Sequence, residues 1–238
     1  MTILAIDTSG PICGVALLRD GRVLSEHTVL NTKTHSVNLI PMVDAVLQES
    51  QTDLSSVDRL ACVTGPGSFT GVRIGVSTCK GLSHGSGIPC VAVDALETMA
   101  AGIPHSGAVI CPIQDARAGQ VYGAAFHASL TGRPVRLMPD TPLKLEDYLE
   151  TVRPFGDRFL FLGDGMPVHR ERIAELLGEK ALFAPPQLSF IRPSAAARIA
   201  EDSEETLDYL SLQPMYLRSP SAERNRKLME AQACRQST

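Results

Sequence analysis

Tryptophan is absent from this 238-residue sequence, and aromatic residues make up only 5% of it. Its core therefore has to rely on aliphatic side chains. Long apolar runs are missing as well: none approaches the roughly 18 residues that span a bilayer. There is no basic leader, and the opening apolar run stops at Asp7, so no secretory signal is read and a cytoplasmic location is expected. No Cys-x-x-Cys pair occurs among Cys13, Cys62, Cys79, Cys90, Cys111 and Cys234, which removes the usual frame for structural zinc. Cys13, Cys62, Cys90 and Cys111 fall in apolar, strand-like segments and read as small buried hydrophobes, reduced in a cytosolic chain.

Positive charge is also in short supply, with 22 Lys and Arg against 26 Asp and Glu and a formal net charge of -4. Proteins that grip nucleic acid unaided usually carry a basic face. Strong unassisted binding to tRNA or DNA is not expected here. The one locally basic stretch, Arg218, Arg224, Arg226 and Lys227, reads as a solvated tail. What is present is ordinary for a globular protein, 44% hydrophobic and 20% charged.

Residues 2–7 read as a buried strand ending on Asp7, followed by turn chemistry at Thr8-Ser9-Gly10-Pro11. A strand at 12–18 meets another at 23–30 across Asp20-Gly21, a hairpin signal. Leu39, Ile40, Val43, Val46 and Leu47 form a helical stripe over about 36–48. A strand at 59–64 runs into a glycine-rich loop, and a helix follows over about 71–85. A strand at 90–93 and a short helix at 95–101 complete a β-β-β-α-β-α-β-α order. That order fits a ribonuclease H-like core of the kind shared by actin-like ATPases and sugar kinases. Residues 1–103 are thus expected to form one lobe and 104–213 a second, smaller α/β lobe. The segment 214–238 has a frayed end and the option of returning to the first lobe. In the second lobe, strands are expected at 108–113, 121–126 and 159–162 and helices at 145–152, 168–177 and 194–201. The rest of 131–158, rich in Pro and Gly, reads as loop. No internal repeat is visible.

The most specific stretch is Thr64-Gly65-Pro66-Gly67-Ser68-Phe69-Thr70-Gly71-Val72-Arg73-Ile74-Gly75. Its loop amides could face an anion at a helix N-terminus, and Arg73 could clamp a carboxylate or phosphate. Equally, the glycines could only permit tight turns and close packing. The stretch lacks Gly-Lys-Ser/Thr, the dinucleotide fingerprint and Gly-x-Ser-x-Gly, so Ser68 has no nucleophile context. Asp7, Gly65, Gly67, Ser68 and Arg73 are the candidate nucleotide- or anion-binding residues. Asp7 is read either as a phosphate and Mg²⁺ orienter or as a cap for the turn amides after it. His35 and His84 read as capping or packed surface residues.

Residues 65–75 resemble the signature of the TsaB (YeaZ) family. Further matches occur in order along the chain: Ile3 to Ser9, His35 to Pro41, Asp115-Ala116-Arg117, Gln120-Val121-Tyr122, Gly163-Asp164-Gly165, and Pro214 to Arg218. The resemblance implies a two-lobed actin-like, ribonuclease H-like α/β fold with mixed sheets. It also implies a non-catalytic subunit for threonylcarbamoyl transfer to the adenosine beside the tRNA anticodon. Its implied partners are TsaD, as a heterodimer, and TsaE. It would form a homodimer when alone and meet tRNA only through the complex. No cofactor of its own is implied, with ATP or ADP admitted only at the complex interface. The sister family TsaD carries a His-x-x-x-His pair on the helix after its fifth strand, and those positions fall here on Ala95 and Met99. Neither side chain replaces an imidazole, so no metal site and no catalytic residue is expected. Candidate partner-contact residues are His35, Leu39, Gly71, Val72, Arg73 and Gly75, since Gly71 and Gly75 at i and i+4 would let a helix approach closely. The alternatives are a small actin-like kinase using Asp7 and the glycine loop, with Gly163-Asp164-Gly165 as the only candidate for the second phosphate loop it needs, a nuclease using Asp7, Asp94, Glu97 and Asp115, or a peptidase built on Ser68.

Overall fold

The computed structural model describes residues 1–30, 34–103, 107–129 and 133–218. The first sheet forms from β1 (Thr2–Asp7), β2 (Ile12–Arg19), β3 (Arg22–Leu30), β4 (Arg59–Gly65) and β5 (Cys90–Asp94). Its strand order is β3-β2-β1-β4-β5. The hairpins pair antiparallel, with Ala5 opposite Ala16, while β4 and β5 add parallel to β1. Helix α1 (His35–Glu49) follows β3, α2 (Phe69–Ser86) follows β4 and α3 (Ala95–Ala101) follows β5.

The second sheet forms from β6 (Val109–Asp115), β7 (Gln120–His127), β8 (Val135–Lys144), β9 (Phe159–Leu162) and β10 (Ala181–Phe183). Helices α4 (Leu145–Val152) and α5 (Met166–Leu177) lie between its strands, and α6 (Pro193–Glu201) follows the last. The order β8-β7-β6-β9-β10 repeats the first sheet strand for strand, with the same antiparallel and parallel pairings. The two-lobed mixed α/β fold is therefore as expected, and the architecture is duplicated although the sequence shows no repeat.

Alternation along β1 explains the layering. Leu4 and Ile6 enter a core with Val15, Leu39, Val43, Val72 and Val76, under α1 and α2. Ile3 and Ala5 enter a central core with Leu96, Met99, Ala196 and Ala197, and also with Ile110 and Phe126 of the second sheet. A third core, with Tyr148, Phe161 and Ile173, lies under α4 and α5. The central core joins the lobes and sets how their loops face each other.

Three expectations need correction. The stretch 135–144 is a strand, not loop. Pro139 and Pro142 lie in it, but β8 is an edge strand, where a missing N–H need break no ladder bond. The three-residue β10 was not anticipated. Helix α6, assigned to the second lobe, packs on β1, β2, β4 and β5 of the first. The return to the first lobe therefore begins near 193, and it continues with Leu207 bridging Cys90 and the Met215 N–H donating to the Thr64 carbonyl. Arg224, Arg226, Lys227, Cys234 and the frayed end lie outside the described residues; the other five cysteines are buried and free. Among the described residues no helix is long and apolar enough to cross a membrane.

Candidate functional site

A cleft of about 800 Å³ opens between the lobes, lined by the Gly10-Pro11 turn, Pro66 to Gly71, Gln114 to Arg117, Asp164 and Met215 to Arg218. The duplicated topology explains its position: the ends of β1 and β6, and the loops after β4 and β9, come together where the lobes meet.

Asp7 ends β1 with a fully buried side chain. Its Oδ1 accepts the Ser9 N–H at 2.8 Å and the Ser9 hydroxyl at 2.7 Å, while Oδ2 has no partner. Burial pushes this carboxyl up to about 6, against the two Ser9 hydrogen bonds and the nearby His35. Half of the carboxylate thus caps the turn and half is left open. His35, at the start of α1, lies 3.0 Å through Nε2 from the Gly10 carbonyl. Since a carbonyl can only accept, Nε2 carries the proton there, and Nδ1 is left buried without a partner.

The glycine loop is filled by the chain's own backbone. Ser68 donates its N–H to the Ser9 carbonyl at 2.7 Å, and its Oγ accepts the Gly71 N–H at 3.3 Å, capping α2. A Cβ on Gly67 would sit 2.2 Å from the Ser9 carbonyl oxygen, and one on Gly71 2.1 Å from that of Thr8. One on Gly75 would sit 2.6 Å from Thr8 Oγ1, which itself donates to the Gly71 carbonyl. The strip at Gly71 and Gly75 therefore faces β1 and not a partner helix: its missing side chains let α2 rest on Thr8. Leu39 and Val72 likewise point into the core. Gly65 approaches the Met215 carbonyl, so the C-terminal segment closes over the loop.

Of the contact candidates, Arg73 is the one that faces out. Its guanidinium lies 3.9 Å from the centroid of the Phe69 ring, and its Nε donates to the Tyr216 hydroxyl at 2.7 Å. Val37 and Ile40 on α1 and Leu30 at the end of β3 are exposed, at 61%, 53% and 68%.

The second lobe supplies Gln114 and His169, which the sequence reading did not single out, beside Asp164 of the Gly163-Asp164-Gly165 loop. Gln114 is buried at the end of β6 with Oε1 unpartnered, and Asp164 Oδ1 is also unpartnered. Burial pushes the Asp164 carboxyl up to about 6, with Asp115 and Asp7 adding to the rise. Asp7, Gln114 and Asp164 line a void of about 10 Å³ with Met99, Phe190 and Ile191. That is room for about one water. Three acceptors without donors are the residues here that could hold a water or a small cation. Buried His169 lies 3.9 Å through Nε2 from Asp115 Oδ1, which accepts the Arg117 N–H. A glutamine ending an apolar strand was the available signal for Gln114; His169 lies within a helical stripe and gave none.

Other candidates are committed elsewhere. Asp94 and Glu97 pair with Arg133 and Arg136, away from a nuclease quartet. Ala95 and Met99 lie in the central core. His84 packs on Tyr209 with ring centroids 4.5 Å apart. Among the described residues no group of three or more His, Cys, Asp or Glu is arranged to hold a metal.

A family model described as TsaD, tRNA N6-adenosine threonylcarbamoyltransferase, matches residues 23–224. The tRNA threonylcarbamoyladenosine biosynthesis protein TsaB of Bacillus subtilis is 38% identical over 94% of this chain and 96% of its own. That of Escherichia coli is 33% identical over 92% and 95%. The solved structure of YeaZ from Pseudomonas aeruginosa superposes with a TM-score of 0.77 at 28% identity, covering 91% of this chain and 99% of that one. A ROK hexokinase from Thermus thermophilus, at a TM-score of 0.50 and 12% identity, shares the fold alone.

Proposed function

The chain belongs to the TsaB family and so takes part in tRNA threonylcarbamoyladenosine biosynthesis, and from that premise we propose that it serves there as a non-catalytic subunit. In this reading it pairs with TsaD, is joined by TsaE, forms a homodimer when alone and meets tRNA only through the complex. It needs no cofactor of its own; ATP or ADP enters only at a joint between subunits. One observation carries the reading: the serine a hydrolase would recruit from the glycine loop is already engaged by the fold. Ser68 spends its N–H on Ser9 and its hydroxyl on the α2 cap. The surface we assign to a partner is the exposed apolar face of α1, Val37 and Ile40, with Leu30 beside it and Arg73 held on Phe69 nearby.

The test is co-purification with TsaD and a tRNA modification assay with and without this chain. We expect co-elution, and modification that falls to background when the chain is left out. Full modification in its absence would sink the proposal. A small actin-like kinase is the competing reading, favoured by the open oxygens of Asp7 and Asp164 across one void. ATP hydrolysis by the isolated chain, lost in Asp7→Asn, would decide for it.

A further inference from the structure

Away from the cleft, a second cluster of charge crosses the seam between the lobes. Asp94 closes β5 in the first sheet, and its Oδ1 accepts the Glu97 N–H at 2.7 Å, capping α3. Its other oxygen lies 3.3 Å from Arg136 on β8 of the second sheet. Arg136 also pairs with Asp140, stands 3.7 Å from Glu97, and stacks over the Phe126 ring at 4.6 Å. Arg133 donates to Glu97 at 2.8 Å. The side chains of Asp94, Glu97 and Asp140 are only 13%, 13% and 6% exposed.

Three nearly buried carboxyl groups thus face two guanidinium groups, which leaves one negative charge uncompensated. Asp140 Oδ2 is buried with no donor, and the Asp140 and Asp94 carboxyls sit side by side on the two terminal nitrogens of one guanidinium, that of Arg136. Two ionised carboxylates offer each other only acceptors. One proton between them satisfies both the orphaned oxygen and the charge count. We propose that Asp94 and Asp140 share one proton across the lobe seam and that this acid–carboxylate pair, clamped by Arg136, is a proton-dependent latch between the lobes.

The surroundings agree. Burial, then Asp140, push the Asp94 carboxyl up to about 8. Helix α6 meets α3 through Ala196, Ala197 and Ala200, while its own charges Arg198, Glu201 and Asp202 pair among themselves. From β7 the group that faces the cluster is the Phe126 ring, and His127 at the end of that strand is exposed. On β8 the remaining charge, Lys144, pairs in register with Gln120 at the strand's far end and leads into α4, whose first turn carries Glu146 and Asp147. A carboxyl raised in the folded state stabilises fully below its unfolded value near 4, and that stability is lost as pH rises through about 8.

The experiment follows the unfolding constant of the full chain in denaturant from pH 6.5 to 9, alongside Asp94→Asn and Asp140→Asn. Asparagine preserves the α3 cap at 94 and supplies a permanent amide donor at either position. Amide exchange of α3 and β8, corrected for intrinsic rates and referred to β1, is read in parallel. Relative to either variant, the wild-type unfolding constant should rise by up to about tenfold per pH unit below pH 8 and level off above it. Seam amides should exchange faster at pH 8.5 than at 6.5 in wild type only. Variants that keep the wild-type slope would overturn the shared proton. A lost slope with unchanged seam exchange would overturn the latch. If one variant fails to fold, the other decides.

Discussion

The two lobes repeat one strand order yet finish their loops in opposite ways. In the first, the loop after β4 packs onto the end of β1, with Gly67 and Gly71 against the Ser9 and Thr8 carbonyls. In the second, the loop after β9 packs onto the end of β6, with Gly163 and Gly165 against the Ile113 carbonyl. The backbone solution is shared, but the polar bookkeeping is not. In the first lobe Ser9, Ser68 and Thr8 satisfy the loop itself, leaving one oxygen of Asp7 and, on α1, Nδ1 of His35. In the second, Gln114, Asp164 and His169 all keep a buried atom without a partner. A duplicated fold can thus close one half of an interlobe site with its own backbone while the other half stays chemically open.

The close backbone approaches set the largest expected effects. Gly163→Ala places a Cβ 2.1 Å from the Ile113 carbonyl oxygen at φ +107°, adding backbone strain to overpacking. We expect a loss of about 3 kcal/mol or more. Gly71→Ala meets the Thr8 carbonyl oxygen at the same 2.1 Å, but with helical φ, and should cost about 2–3 kcal/mol. Gly75→Leu should melt early for the same reason. Gly81→Ala, with nothing within 4 Å, is the control and should stabilise by up to about 1 kcal/mol. Chemical denaturation checks all four. A Gly71→Ala protein with normal stability would mean that the loops are not equivalent.

The equivalence of these loops was only half legible in the sequence. The first lobe read clearly because β1, β2, β4 and β5 are largely apolar, buried runs and Asp20-Gly21 marks the hairpin into β3. The second read poorly because prolines in an edge strand mimic loop, and because a three-residue strand carries no period. Both glycine loops stood out. Their facing did not, because small residues at i and i+4 look the same whether they meet a partner helix or the chain's own β1. Nor could the sequence say that α6 crosses back to the first sheet, since an apolar stripe does not name what it covers.

The open oxygens give the next effect, and its sign follows from burial. Asp7 and Asp164 are both raised to about 6, so each stabilises fully below about pH 4 and loses that stability as pH rises through 6. At pH 7.5 each is ionised against its surroundings. Asp7→Asn and Asp164→Asn should therefore each gain on the order of 2 kcal/mol relative to wild type between pH 4 and 7.5. Melting curves across that range check this. A gain in one lobe only would show that a single carboxyl, not the pair, carries the cost.

The outer faces differ as well. Helix α1 turns Val37 and Ile40 to solvent, whereas α5 turns out Arg170, Glu171, Arg172 and Glu175 along with Val168. If the first lobe docks the partner, Ile40→Asp should weaken binding to TsaD about tenfold, or about 1.4 kcal/mol, without lowering the melting temperature. Val168→Asp should leave affinity unchanged. Titration calorimetry on both variants decides, and equal losses would remove the assignment to α1.

The smallest effect separates a capping serine from a reacting one. Ser68 caps α2, while α5 begins at Gly165 with no side-chain cap, so this capping bond is a feature of the first lobe alone. Ser68→Ala removes the acceptor for the Gly71 N–H and should cost about 1 kcal/mol. Ser68→Gly, whose backbone opens the helix end to water, should cost only a few tenths. In the modification assay with TsaD and TsaE, both variants should match wild type at temperatures well below melting, because a cap acts only through stability. A reacting hydroxyl predicts the reverse: both variants inactive at every temperature, whatever their stability. Measuring activity and melting temperature on the same preparations keeps the two apart. Activity that tracks the fraction folded assigns Ser68 to the helix, and with it the closed character of this half of the cleft.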